Sequence, residues 1–420
     1  MSNWRVWHSA RSFAEYVIDN SILASQKKSI EFRQLQESDA SKSGGFHKVP
    51  DHIKKILYLD AADVIIEYNS NPIICIEETK EAGTGHNAFQ RFARIAAAAE
   101  NGVPALYLQP EAVIIDRVSK KKGQTIVNTK WDSINPLIFQ AYHSVMEIFK
   151  IPALFFYYPS DYRKYTNNPE KSPNRTIHKG VKIDFNACPA EMDSEMQAFF
   201  EVVNTIIQNT IDGQPVSKLV DKIVIRKRKQ WLLQQFFNKQ DGKEMSDMSP
   251  ISATITVPTP QLLNYLKNYT DVPVEEISEL LSSRPESVIY QCNASFRGDP
   301  YPGALSALDY LLCREGKSYE DRRANLILCF GSVVKDGDSI DVQTEKDNCS
   351  INDFIAAVHR SCNKNLLTID KYSDLQPRDI GRYYMQVRYG STYSKVKHIR
   401  VYAYFADAII FNDGALWREA

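Results

Sequence analysis

The 420-residue sequence predicts a mixed α/β sheet flanked by helices, followed by a second part of α+β type. Three observations predict it. Residues 63–68 and 73–76 are runs rich in β-branched residues on either side of Asn69-Ser70-Asn71-Pro72, the pattern of a β-hairpin. Residues 88–99 then set Ala88, Phe89, Phe92, Ala93, Ile95, Ala96 and Ala99 at helical spacing, with Asn87 as N-cap and Asn101-Gly102 as stop. A buried-type strand follows at 103–108, and strand, helix and strand with short connections imply a parallel pair.

The flanking segments follow in order. Residues 1–53 read as largely helical, with Phe13, Tyr16, Val17 and Ile22 at helix-like spacing and a polar turn at 41–45. Past the parallel pair, 112–117 is one more strand, 118–123 a basic turn, 137–149 an amphipathic helix and 153–158 an outer strand. Asp193 or Ser194 caps a helix whose Met196, Phe199, Phe200, Val203, Ile206 and Ile207 form a core stripe. Residues 225–229, IRKRK, are a basic cluster beside Trp231, and the polar stretch 238–252 is the linker. Beyond it come two short helical patterns at 259–269 and 274–283, a Pro/Gly turn leading into a helix at 303–314, and apolar runs at 326–330, 384–387 and 399–405. The expected organisation is 1–53 N-terminal, 54–215 the α/β domain, 216–252 basic helix and linker, and 253–420 the second domain.

Composition sets bounds on function. Lys plus Arg and Asp plus Glu both total 51, so there is no global positive field and any nucleic-acid surface must be local. The seven cysteines are scattered and never spaced as C-x-x-C, which favours free thiols in a reducing compartment over disulfides or zinc. With no apolar leader and no run of membrane-span length, a cytoplasmic protein without membrane contact is expected.

The chemistry concentrates where the predicted hairpin ends. Strand alternation sets Glu78 and Lys80 on one face and Glu77 and Thr79 on the other. A hairpin closed by residues 69–72 brings Asp63 near Glu78 and Lys80. Two carboxylates with an ammonium alongside suit Mg²⁺, which is usually held by one or two carboxylates, substrate phosphate oxygens and water. The lysine then positions the attacking water. Gln90 and Arg94, four apart on the following helix, point off its apolar stripe toward the same sheet end.

Asp63, Glu78-Thr79-Lys80, the helix bearing Gln90 and the strand 103–108 together resemble the core of the PD-(D/E)xK nuclease superfamily, which includes many type II restriction endonucleases. The proline of that motif is replaced by Ala62, and the resemblance spans about residues 54–108. It implies a restriction-endonuclease-like α/β core with Asp63 and Glu78 as Mg²⁺ ligands, Lys80 as the catalytic lysine and Gln90 as a helix glutamine; Glu77 competes with Glu78 as ligand. The expected activity is hydrolysis of DNA phosphodiester bonds, with cleavage of a duplex at a specific site by a homodimer. A nuclease effector of prokaryotic defence and a non-catalytic nucleic-acid-binding module are the alternatives. Expected DNA contacts are Arg91 and Arg94 at the site, Arg163 and Lys164 in an aromatic-rich stretch, Arg226 and Arg228 in the basic cluster, and Arg322 and Arg323 in the second domain.

Overall fold

The computed structural model describes residues 4–9, 11–35, 49–57, 62–78, 87–110, 114–121, 123–131, 137–158, 194–240, 254–267, 283–291, 324–329, 331–343, 407–411 and 415–417. The chain divides into two units, the first made of Met1–Leu35, Asp51–Ile56 and Ala61–Met248, the second of Gln36–Pro50, Leu57–Asp60 and Ser249–Ala420. A six-stranded mixed sheet flanked by helices forms the centre of the first unit.

The N-terminal segment is not the mainly helical piece expected. It forms strand β1 (Trp4–His8), helix α1 (Arg11–Asp19), a 3₁₀ turn (Ala24–Ser29) and strand β2 (Glu31–Gln34), with the short helix α2 (Asp51–Lys54) beyond. Strand β1 is held by long-range pairing that local spacing does not reveal: it runs parallel to β2 and antiparallel to β3 (Val64–Tyr68), with Trp4 opposite Tyr68 and His8 opposite Val64. Strand β4 (Asn71–Glu78) completes the expected hairpin. Helix α3 (Asn87–Glu100) and strand β5 (Ala105–Pro110) follow, and β4 and β5 are parallel as predicted. Gly102, at φ 75°, ends the helix in the left-handed conformation that favours glycine.

A hairpin of β6 (Ile114–Lys121) and β7 (Gln124–Trp131) occupies the stretch read as a strand and a basic turn. Lys120 and Lys121 lie in β6, so the turn is shorter than expected, with Gly123 at φ 78°. Helix α4 (Leu137–Phe149), strand β8 (Ala153–Tyr158), helix α5 (Ser194–Ile211) and helix α6 (Ile223–Gln240) complete the unit. The sheet order is β2-β1-β3-β4-β5-β8.

Register assigns the two faces of the sheet. Glu77, Tyr107 and Phe155 lie side by side, as do Glu78, Leu108 and Phe156 one residue on. Alternation sends these two rows to opposite faces. Tyr142 of α4 stacks on Tyr107, with centroids 6.5 Å apart, and Arg94 of α3 meets Glu77, so α3 and α4 cover the first face. Phe199 of α5 packs edge-on against Phe156 at 5.3 Å, and Phe200 touches Tyr16 of α1, so α5 and α1 cover the second.

The second unit has a five-stranded sheet, β15 (Ala415–Trp417), β14 (Ala408–Ile410), β11 (Asn325–Cys329), β10 (Glu286–Gln291) and β9 (Thr254–Pro258) in spatial order. Helix α7 (Thr259–Leu266) and the hairpin β12 (Ser332–Asp336) and β13 (Ser339–Gln343) share its core. Inside, Arg284 donates to Asn325 at 2.8 Å, Asn325 donates to Thr259 and Ser287, each at 3.2 Å, and Asp407 accepts from the Leu326 N–H at 2.7 Å. These hydrogen bonds offset part of the cost of burying polar groups. The elements expected at 303–314, 384–387 and 399–405, and that at 274–283 apart from its last residue, lie outside the described residues. Among the described residues, no helix is long and apolar enough to cross a membrane.

Candidate active site

Turn length decides what Asp63 faces. A turn over residues 69–72 would set Tyr68 opposite residue 73 and Asp63 opposite Glu78. The turn is Asn69-Ser70, both at positive φ (48° and 61°), and Tyr68 lies opposite Asn71. An irregularity between Ile66 and Glu67 then shifts the register by one, so Val64 pairs with Ile76. The ladder ends there, and just beyond it the Asp63 charge acts on Glu77. Glu77 lies in the row of Tyr107, while Glu78 lies in the row of Leu108 and Phe156 on the α5 side, and both are buried.

Asp63 is fixed at this sheet end by two contacts. Its Oδ1 accepts the Ser9 hydroxyl at 2.7 Å, and its Oδ2 accepts the Glu78 backbone N–H at 2.8 Å. The Ser9 N–H also donates to the Asp63 carbonyl at 2.8 Å. Ser9, which the sequence pattern does not single out, directly follows β1, the strand not expected from local spacing.

Glu77 is fully buried and its Oε1 meets Arg94 and, at 3.3 Å, Arg91. Burial pushes its carboxyl up, to about 7, against the pull of the Arg94 guanidinium; Asp63 adds to the rise and Arg91 opposes it. Its other oxygen, Oε2, has no hydrogen-bond partner among the described residues. Beside it, Tyr107 donates to Gln109 Oε1 at 2.7 Å, whereas Gln109 Nε2 and the Tyr142 hydroxyl have no partner among the described residues. Unsatisfied buried polar atoms are uncommon in folded proteins. A Gln closing an apolar strand was the signal available for Gln109.

The remaining expected residues fall differently. Arg91 is part-exposed and Arg94 is 4% exposed, turned inward to Glu77. Gln90 lies in α3 one turn before Arg94. Arg226 is exposed, whereas Arg228 is 6% exposed and occupied inside the fold by the Phe155 carbonyl and Glu195. Lys80, Arg163, Lys164, Arg322 and Arg323 lie outside the described residues.

Among the described residues no group of three or more His, Cys, Asp or Glu side chains gathers to hold a metal. The donor chemistry at the sheet end nonetheless fits a small hard cation, with the Asp63 carboxylate acting on that of Glu77 and an oxygen, Glu77 Oε2, bearing no hydrogen bond among the described residues. Of the seven cysteines, Cys75 and Cys329 are described, and both are buried. Compared with family models, with curated proteins and with solved structures, the chain gives no match.

Proposed function

We propose that the chain is a Mg²⁺-dependent endonuclease that hydrolyses phosphodiester bonds of double-stranded DNA, with a restriction-endonuclease-like first unit. The observation that carries this reading is the docking of the Asp63 carboxylate on the backbone of Glu78, which joins the first acid of the motif to the segment bearing the second. The order hairpin, helix and parallel strand supports it, as does the pair of guanidiniums on α3 beside the acids.

In this reading Asp63 and Glu77 hold the ion, a departure from the Asp63–Glu78 pair that the motif string implies, because the Asp63 charge acts on Glu77 while Glu78 lies in the row that faces α5. When bound, Mg²⁺ supplies charge neutralisation at the scissile phosphate and a more acidic water. Arg91, with part of its surface exposed, binds a phosphate oxygen, and Arg94 keeps Glu77 oriented. Lys80, by resemblance, orients the water. Cutting both strands calls for a second copy of the site, most simply in a homodimer.

The experiment is incubation of the purified full chain with plasmid DNA, with and without Mg²⁺. A fixed fragment ladder is expected for wild type, and none for Asp63→Ala or Lys80→Ala. Cutting that survives both substitutions, or an intact plasmid under all conditions, overturns the reading.

A further inference from the structure

Between Ile114 and Trp131 stand five basic residues, Arg117, Lys120, Lys121, Lys122 and Lys130, against one acidic residue, Asp116, in a chain whose charges balance overall. Register sorts them. Ile115 lies opposite Lys130, Arg117 opposite Asn128, Ser119 opposite Ile126 and Lys121 opposite Gln124. Directly paired residues and alternate residues share a face, so these positions make one side of the ribbon. The opposite side carries Ile114 with Trp131, Val118 with Val127, Asp116 with Thr129 and Lys120 with Thr125. One face thus collects Arg117, Lys121 and Lys130 with Asn128, Gln124 and Ser119, and most of the large apolar residues fall on the other.

Connectivity fixes the root of the ribbon. β6 begins four residues after Pro110, the last residue of β5, and β5 ends beside the end of β4. Four residues of extended chain reach about 14 Å at most. The hairpin therefore springs from the same sheet edge that carries Asp63 and Glu77.

We infer that β6–β7 is a DNA-binding arm, which lays its Arg117–Lys121–Lys130 face against the phosphates and groove of a B-form duplex at the candidate site. This rests on the reading of that edge as a DNA-cleaving site. A two-stranded ribbon fits the B-DNA major groove, about 12 Å wide, where Arg, Lys, Asn and Gln read base edges. The A-form groove of duplex RNA is too deep and narrow for this. A protein partner is disfavoured because lysine is depleted at protein interfaces, whereas aromatics are enriched.

The test is fluorescence anisotropy of a labelled DNA duplex with the full chain in EDTA, across a salt series. Each phosphate contact contributes about 0.9 to the slope of log K against log salt. The triple variant Arg117→Gln, Lys121→Gln, Lys130→Gln is expected to lower that slope by 2 to 3 units, roughly three contacts, and to weaken binding on the order of 100-fold at low salt. Lys150→Gln, which removes an exposed lysine elsewhere, is expected to bind as wild type does. Circular dichroism checks folding, and Lys121→Glu alone replaces the triple variant if that one fails to fold. Unchanged slope and affinity, equal competition by duplex RNA, or no DNA binding by wild type overturns the arm. Loss of Mg²⁺-dependent cutting with DNA binding intact instead strikes the nuclease reading and leaves the arm standing.

Discussion

Glu77 and Arg94 face each other inside the first unit, the carboxylate fully buried and the guanidinium 4% exposed. Removing one partner of such a pair strands a charge in the interior, which typically costs about 3 to 5 kcal/mol. Arg94→Met is expected to destabilise by that amount in urea unfolding. Because burial already favours the neutral form of Glu77, adding Glu77→Gln should restore a large part of the loss. A double variant no more stable than Arg94→Met alone would show that the pair is not coupled.

The register separates two glutamates that are adjacent in sequence. Glu77→Gln is expected to lower plasmid cleavage about 100-fold or more, the scale for losing an electrostatic group aimed at the reacting phosphate. Glu78→Gln, on the opposite face, is expected to keep most of the activity while its backbone N–H still holds Asp63. The reverse pattern would return the metal to the Asp63–Glu78 pair.

Much of the fold is legible in the sequence wherever one element carries its own period. The helix Leu137–Phe149, the strand Ala153–Tyr158 and the buried stripe from Met196 to Ile207 stand where the apolar spacing puts them. β1 does not, because its stability comes from pairing with β3, some 60 residues away, as in Trp7 opposite Ile65. β7 mixes polar residues with short apolar ones and leaves only a weak alternation to read. At the site, what is hard to read is which residues of the second strand come level with the start of the first. A slip of one residue flips every side chain to the other face, and here a two-residue turn and the irregularity at Ile66/Glu67 decide it. Neither can be counted from an Asn-Ser-Asn-Pro string.

Charge runs mislead in a related way, since IRKRK sends its basic residues in different directions. Arg228 donates to the Phe155 carbonyl at 2.8 Å and to Glu195 at 2.7 Å, and its guanidinium lies 3.5 Å from the centroid of Trp231. It ties α6 to the edge strand β8 and to the start of α5. Arg228→Met is expected to lose about 3 kcal/mol, because it leaves a buried acceptor and a carboxylate without their donor. Arg226→Gln, at an exposed position, should stay within about 0.5 kcal/mol of wild type. Thermal unfolding of the two variants decides the matter, and equal losses would mean that Arg228 does not brace the helix.

Glu147 gives the fold an acid-sensitive tie. Its carboxylate meets Lys229 of α6 and, at 3.1 Å, Lys150, and the Lys229 hydrogen bond holds it down, to about 2. A carboxyl whose folded value lies below its unfolded one stabilises above the unfolded value and ceases to do so as pH falls through the folded one. The window is thus from the ordinary glutamate value of 4.5 down to about 2. Because Glu147 is 46% exposed, water screens the pair and its contribution should stay below about 1 kcal/mol. Glu147→Gln is therefore expected to be slightly less stable than wild type at pH 7, with the difference closing as pH approaches 2. Urea unfolding at several pH values measures it, and a gap that widens on acidification would mean that Lys229 does not stabilise the ionised carboxylate.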